Sequence, residues 1–446
     1  MTLVEVKSEV ERRSHAIMRE SSVVFAAQVL MLLAGVLNNF IIAKLGGPDG
    51  KGFIYTLQLF SSAALVFANF AIGPAAVYHF RREEGFSVEE ITSGLLWPSF
   101  LLGCIPLVLL ALLRQTSLTF FRTGVWGSAA LLAFAVVPAF TLVWNLSYLY
   151  LAKGEIGSYN ILRASQYWLL TLLLLGLVMV HVTSLHALVI AWVIGMSVPA
   201  LVAMLVAGSA VGIWKLPSRR FVRQAFAFGW RSHLGAVVQY MQSRADVVLV
   251  LCFLPLRDLG IYSLAVGLAE LLLYVPQSVS QVLLPHVASS QDADADRITS
   301  AFCRASVTTT AVLAVVMAAL STIVVPWLLP AFRQAVPVIW TLLPGTVVAS
   351  ILKVLASDLN GRGQPLKTVF PAAAALLFSI AGCSYAIPRF GMLGAATVTS
   401  LAYMLNAAIY VYSFSRSPSV SARSLVLLQA RDLAWYRKLL VSWRRG

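Results

Sequence analysis

The stretch QYMQSRADVVLVLCF, Gln239 to Phe253, poses the problem of the whole chain. Its second half, VVLVLCF, is an unbroken apolar run suited to a bilayer, yet Arg244 and Asp246 stand just before it. A charge facing lipid costs roughly 2.5–3.5 kcal/mol at mid-bilayer on an insertion scale. Either these two side chains turn away from lipid, or the helix does not cross a membrane. Composition decides. Of 446 residues, 59% are hydrophobic and only 11% charged, against about 25% charged in ordinary soluble domains. Mean hydropathy is +0.83. No water-soluble fold hides that much apolar surface, and no charged block of domain size interrupts it. The expected class is all-α, a polytopic integral membrane protein.

Runs of about 20 apolar residues mark bilayer-spanning helices. Twelve can be traced, at 21–45, 53–80, 91–113, 125–151, 160–182, 185–213, 226–255, 260–288, 304–330, 335–360, 367–387 and 391–414. Several hold an internal proline, among them Pro74, Pro138, Pro199, Pro276, Pro285 and Pro344, which membrane helices accommodate as kinks. The first twenty residues carry charges and no apolar core, so no cleavable signal is expected and the N-terminus is placed in the cytoplasm. On that orientation 22 of the 33 Lys and Arg lie in inside segments. Six lie outside: Lys51, Arg114, Arg122, Arg257, Arg333 and Arg389. This is the bias that positive-inside topology requires. It also accounts for the net charge of +15: anionic inner-leaflet lipid is the expected partner, and nucleic acid is not.

The longest basic loop, WKLPSRRFVRQ, falls midway at 214–224. The expected organisation is a cytoplasmic segment 1–20, a six-helix bundle 21–213, a basic linker 214–225, a second six-helix bundle 226–414 and a basic cytoplasmic tail 415–446. Within the tail, Leu425–Gly446 reads as an amphipathic helix on the inner leaflet. Six is even, so both bundles enter the membrane with the same polarity, as a parallel pseudo-two-fold repeat does. LGGPDGKGFIYTLQL (45–59) and PLRDLGIYSLAVGL (255–268) place an acidic residue, glycine and tyrosine at corresponding turns.

Catalytic signatures are missing. There is no P-loop, HExxH, GxSxG or paired-cysteine site, so no enzyme and no resident cofactor are expected. Cys104, Cys252, Cys303 and Cys383 are scattered through apolar sequence and read as packing residues. Asp292, Asp294 and Asp296 in SSQDADADR read as a solvated loop. His181 and His186 flank a tight turn with no carboxylate nearby.

What remains are ionisable groups within spans: Arg163, Arg231, Arg244, Asp246, Glu270 and Lys353. Residues two apart on a helix do not face each other, so Arg244 and Asp246 need partners elsewhere. Glu270 in span eight is one. Two readings stand side by side. In the first, these groups are ion pairs that lock helices, with Arg163 and Arg231 snorkelling to the interface. In the second, they line a water-filled cavity. There Arg231, Arg244 and Lys353 favour an anion such as phosphate, and Asp246 and Glu270 take up a proton or sodium ion that couples to transport.

AKLGGPDGKGFIY, LVFANFAIGPAAVYHF, QSRADVVLVLCFLPLRDLGIYSLA, PQSVSQVLLPHVA and TLLPGTVVASILKVLASDLNGRGQP occur in order across residues 20–414. Together they resemble the polysaccharide (O-antigen and exopolysaccharide type) flippases of the multidrug/oligosaccharidyl-lipid/polysaccharide exporter superfamily. The resemblance implies two six-helix bundles in a V around a cationic central cavity, in a bacterial inner membrane. It implies alternating access that carries a polyprenyl-diphosphate-linked glycan from the inner to the outer leaflet, alongside glycan polymerase and assembly proteins. Arg244, Asp246 and Lys353 are the positions that carry over. Two rival readings are a cation-coupled drug exporter of the same superfamily and a non-transporting scaffold for glycan assembly. A drug exporter's pocket would be acidic, yet spans one to six hold no internal Asp or Glu.

Overall fold

The structure, a computed structural model, describes residues 3–81, 86–113, 124–211, 215–289, 292–415 and 425. Among these residues it is helical throughout, with no strand. Among the described residues, ten helices are long and apolar enough to cross a membrane. Two of them, Ala27–Ala68 and Leu366–Phe414, have 42 and 49 residues. As straight helices each would run about 60–75 Å, twice the hydrocarbon thickness. Each is instead two helices joined at a glycine with positive φ, Gly47 at 61° and Gly391 at 59°, a conformation that glycine adopts without a Cβ penalty. Ten helices therefore give twelve crossings, the number traced in the sequence.

The chain divides into two compact units, Met1–Leu234 and Gly235–Gly446. The division falls inside α7 (Arg219–Phe253). The stretch read as a linker, 214–225, is helical from Arg219 onward. The first unit holds α1 (Leu3–Ala68), α2 (Ile72–Arg81), α3 (Val88–Leu113), α4 (Gly124–Ala152), α5 (Ile156–Met179) and α6 (Leu185–Val211). The segment 1–20 is thus continuous with the first crossing from Leu3 on. A capping box opens α3: the Glu90 N–H donates to Ser87 Oγ and the Ser87 N–H to Glu90 Oε2, which satisfies two otherwise orphaned donors. The α4 helix is the centre, touching α1, α2, α3, α5 and α6. Ile91, Leu95, Leu142, Leu146 and Phe221 are buried together there.

Span two is broken within this unit. Pro74 has no N–H to give the carbonyl of Phe70, and the helix parts at Asn69–Ala71, where Phe70 (φ 45°) and Ala71 (φ 53°) take left-handed conformations. In lipid the freed groups need partners, and α4 supplies one. Gly73 N–H donates to Asn145 Oδ1 at 3.1 Å, and Asn145 Nδ2 donates to Ser99 Oγ at 2.9 Å. The opening residues of α7 close over the break. A Cβ on Gly229 would lie 2.1 Å from the Phe70 carbonyl oxygen, so only glycine lets α7 come this near. His233 stacks on the Phe70 ring at 4.5 Å.

The second unit contains α8 (Leu256–Glu270), a 3₁₀ turn (Leu271–Leu273), α9 (Tyr274–Ser289), α10 (Asp292–Leu328), α11 (Ala335–Gly361) and α12 (Val369–Phe414). Its central element, α11, touches α8, α9, α10 and α12. Leu254 precedes Pro255, which disfavours helix at that residue, and α7 ends at Phe253. The expected tail helix lies outside the described residues apart from Leu425, which is buried in this unit's core. All four cysteines are free.

Candidate functional site

The charges in and beside the spans of the second unit sort into three clusters. On α7, Arg244 and Asp246 point different ways. Arg244 makes a bidentate pair with Glu270, Nη1–Oε1 at 2.7 Å and Nη2–Oε2 at 3.2 Å. Glu270 is the last residue of α8, where the helix tightens into its 3₁₀ turn. Lys353 of α11 lies within electrostatic range of both and has no ion pair among the described residues. Three charges thus meet with a net of +1. The pair is partly open, with the side chains of Arg244 and Glu270 26% and 33% exposed.

Asp246 turns the other way and is buried. Its Oδ2 accepts from Tyr262 Oη at 2.6 Å and from Thr399 Oγ1 at 2.9 Å. The carboxylate therefore joins α7, α8 and α12, with no cation at hydrogen-bond distance among the described residues. Such a group can hold a proton, or an ion in place of one. The structure brings Arg244, Glu270 and Lys353 together and leaves Asp246 in a separate hydroxyl cradle. Arg231 lies on α7, about three turns from its start at Arg219. Its side chain lies outside the described residues.

A third cluster corrects the sequence reading. Asp296 is not in a solvated loop: α10 begins at Asp292, and Asp296 is buried. Arg362 Nη2 donates to Asp296 Oδ1 at 2.6 Å, and Arg362 Nε to Asp358 Oδ2 at 2.7 Å. Thr299 Oγ1 donates to Asp358 Oδ1 at 2.6 Å. Burial opposes the charge on Arg362. The hydrogen bond and charge of Asp358, then those of Asp296, outweigh it and raise the Arg362 pKa above its ordinary value. The cluster fastens α10 to the end of α11. The side chains of Asp292 and Asp294 lie outside the described residues.

Sequence reasoning also placed Lys51 among the outside loop cations. It is 1% exposed, with Nζ donating to Asn39 Oδ1 at 2.5 Å and lying 5.8 Å from the Tyr55 ring centre. The same sequence spacing separates Pro48 from Pro255, Tyr55 from Tyr262 and Asn39 from Asp246. Corresponding positions of the two repeats thus each hold a polar acceptor, an amide in the first unit and a carboxylate in the second. That register was the signal available in the sequence for the Asp246–Tyr262 contact. Among the described residues no group of three or more His, Cys, Asp or Glu is placed to hold a metal ion.

Residues 41–337 match the sequence profile described as polysaccharide biosynthesis protein. No curated protein matches the chain. Among solved structures, the fold is similar to the lipid II flippase MurJ in an inward closed conformation, with a TM-score of 0.69, 15% identity and 87% of each chain covered. It is similar to an inward-facing multidrug resistance MATE family transporter of the MOP superfamily, with a TM-score of 0.68, 12% identity, and 89% of this chain and 99% of the other covered. A third likeness is to an outward-facing multidrug resistance MATE family transporter of the MOP superfamily, with a TM-score of 0.60, 13% identity, and 90% of this chain and 94% of the other covered.

Proposed function

The chain belongs to the polysaccharide biosynthesis protein family, and from that premise we propose that it flips a polyprenyl-diphosphate-linked oligosaccharide from the cytoplasmic to the outer leaflet of a bacterial inner membrane. It is a multi-pass membrane protein with the fold of the flippase and multidrug transporters described above. The observation that carries the reading is the net positive cluster of Arg244, Glu270 and Lys353 within the membrane spans of a polysaccharide-biosynthesis protein. Guanidinium and ammonium groups suit the diphosphate of such a carrier. Opening the Arg244–Glu270 pair turns a cation toward it, and re-forming the pair releases it, a cycle suited to alternating access. Asp246, held by two hydroxyls, is the group that takes a coupling proton or sodium ion in this reading. Arg231 adds a third cation. Both termini are cytoplasmic, the basic segments face anionic lipid, and a glycan polymerase and assembly proteins act on the product.

Drug export draws support from the likeness to MATE transporters. One experiment separates the two. In a deletion strain, the leaflet holding the polyprenyl-linked glycan is read with a membrane-impermeant glycan-labelling enzyme. Inward accumulation, reversed by the wild-type chain and not by Arg244→Ala at equal protein level, is the expected result. Unchanged outward exposure together with new drug sensitivity would establish export instead. Unchanged exposure with no drug phenotype would leave the scaffold.

A further inference from the structure

The first unit contains an arginine that none of this uses. Arg163 lies on α5, about two turns from its start at Ile156. Its Nη1 donates to Tyr159 Oη at 2.5 Å, and its guanidinium carbon lies 4.1 Å from the Trp144 ring centre and 5.5 Å from that of Tyr159. Tyr148 completes the group, with its ring 6.4 Å from Trp144 and 5.9 Å from Tyr159. Two rings, one from α4 and one from α5, therefore flank the guanidinium, and a third packs against both of them.

This cluster differs from a snorkelling arginine in an aromatic belt. Belt residues sit at the headgroup level of the lipid interface, whereas here the Tyr148 ring packs on the break of span two and on the rings of Trp144 and Tyr159. A Cβ on Gly73 would lie 2.4 Å from Tyr148 Cδ2, so the break seats the Tyr148 ring, and neighbouring Asn145 holds the same glycine. The position of the cluster is thus built by the fold. Its polar groups are unspent. Among the described residues Arg163 has no ion pair, and its Nε and Nη2, the Trp144 indole N–H and the Tyr148 hydroxyl have no hydrogen-bond partner. None of these atoms is sealed from solvent, and all four side chains are half-buried. An ionised group inside a membrane bundle without a counter-charge marks a ligand or ion path by default. Here the free nitrogens of Arg163 and Trp144 only donate and the charge is positive, so the ligand supplies anionic oxygens. The adjoining ring faces suit the C–H face of a sugar.

We propose that Arg163, Trp144, Tyr148 and Tyr159 form a binding subsite for an anionic saccharide group. The guanidinium takes phosphate or carboxylate oxygens, and the rings hold the pyranose beside it. The proposal rests on the flippase reading for its substrate class, and it names a place in the first unit where that substrate is gripped. The anion has two sources, the diphosphate of the lipid carrier and an acidic sugar of the glycan.

The test is direct binding. Purified full-length protein is titrated with glucose 1-phosphate, glucuronic acid, inorganic pyrophosphate and glucose, followed by ligand-observed NMR. The acidic sugars should bind about tenfold tighter than glucose, the effect of one charge-assisted contact. That preference should vanish in Arg163→Ala and weaken in Arg163→Lys, which keeps the charge and loses the planar stack. Tyr148→Phe, which keeps the ring, should lose affinity severalfold. Displacement of glucose 1-phosphate by pyrophosphate assigns the subsite to the carrier diphosphate. Glucuronate binding that pyrophosphate does not displace assigns it to an acidic sugar. An unchanged preference in Arg163→Lys and Tyr148→Phe, both conservative enough to fold, overturns the subsite. The two readings fail separately. If the variants lose binding while deletion leaves leaflet exposure unchanged, the flippase reading falls and the subsite stands. If variants bind and flip as the wild type does, the reverse holds.

Discussion

Arg163 and Arg244 are both membrane-embedded guanidinium groups, one in each unit, and they keep opposite company. Arg244 is met by a carboxylate in a two-pronged bond. Arg163 is met by rings and a hydroxyl. A ring quadrupole attracts a cation without cancelling its charge, whereas a carboxylate cancels it. The Arg163 site is therefore a standing positive field. The Arg244 site is a dipole until something parts it, with Lys353 as its residual charge. A charge can thus be held in a membrane in two ways, and only the aromatic way leaves it available at once.

The contrast can be broken or sharpened by substitution. The largest effect belongs to the neutralised kind in its most buried form. Arg362→Ala strands Asp358 (0% side-chain exposure) and takes a cation from Asp296 (6%). Loss of one partner of a buried pair costs about 3–5 kcal/mol, and denaturant unfolding in micelles should read a loss of that order. A change near zero would mean that the two carboxylates are already protonated. Next comes Asn145→Leu, which orphans the Gly73 N–H beneath the aromatic cluster and removes one donor to the Ser99 hydroxyl. Unsatisfied buried groups cost about 1–3 kcal/mol, and the same unfolding assay measures it. Glu270→Gln and Arg163→Ala should each move stability by only about 1 kcal/mol or less, since the first pair is part-exposed and the second contact is a cation–π stack. They should part company in transport. Glu270→Gln leaves Arg244 without the carboxylate that reclaims it and should slow release, trapping glycan on the protein. Arg163→Ala should weaken capture. Leaflet labelling at rising substrate levels separates the two, because only the capture defect is relieved by more substrate. The smallest expected effect is a gain. Ala71→Gly removes left-handed strain of about 1–3 kcal/mol and loses part of it to chain entropy, about 0.5–1 kcal/mol. A slight rise in melting temperature is expected, and a fall would mean that the Ala71 methyl packs more usefully than its backbone is strained.

Which of this was legible in the sequence depended on range. The twelve crossings were, because apolar runs and proline–glycine turns are local signals. The Gly47–Pro48 turn and the Pro74 kink were visible as residues before they were visible as geometry. Glu270 was recognisable as a partner for Arg244 because intramembrane carboxylates are scarce and few others were available. Tyr262 and Thr399 were not singled out as partners of Asp246. Hydroxyls are common in every span, and Thr399 is 153 residues away. Lys51 and Asp296 were misplaced for one reason: a charge at a helix end looks the same in sequence whether it points to water or folds back beneath its neighbours. Arg163 stood in the sequence as either a snorkelling side chain or a cavity group, because Trp144 and Tyr148 belong to another helix, and an aromatic residue in a membrane span carries no mark of what it will face.

The break in span two has a consequence in time. Beyond it, α2 is 10 residues long, about 15 Å, half of what the hydrocarbon core requires. That half-helix cannot insert by itself, and Gly73 finds its acceptor 72 residues further along the chain. When span two leaves the ribosome, the residue that repairs it has not yet been synthesised. The span therefore enters the membrane unbroken or unsatisfied and takes its final shape only when α4 arrives. A chain truncated before Asn145 should insert span two and leave it exposed to proteolysis, whereas one truncated after α4 should protect it.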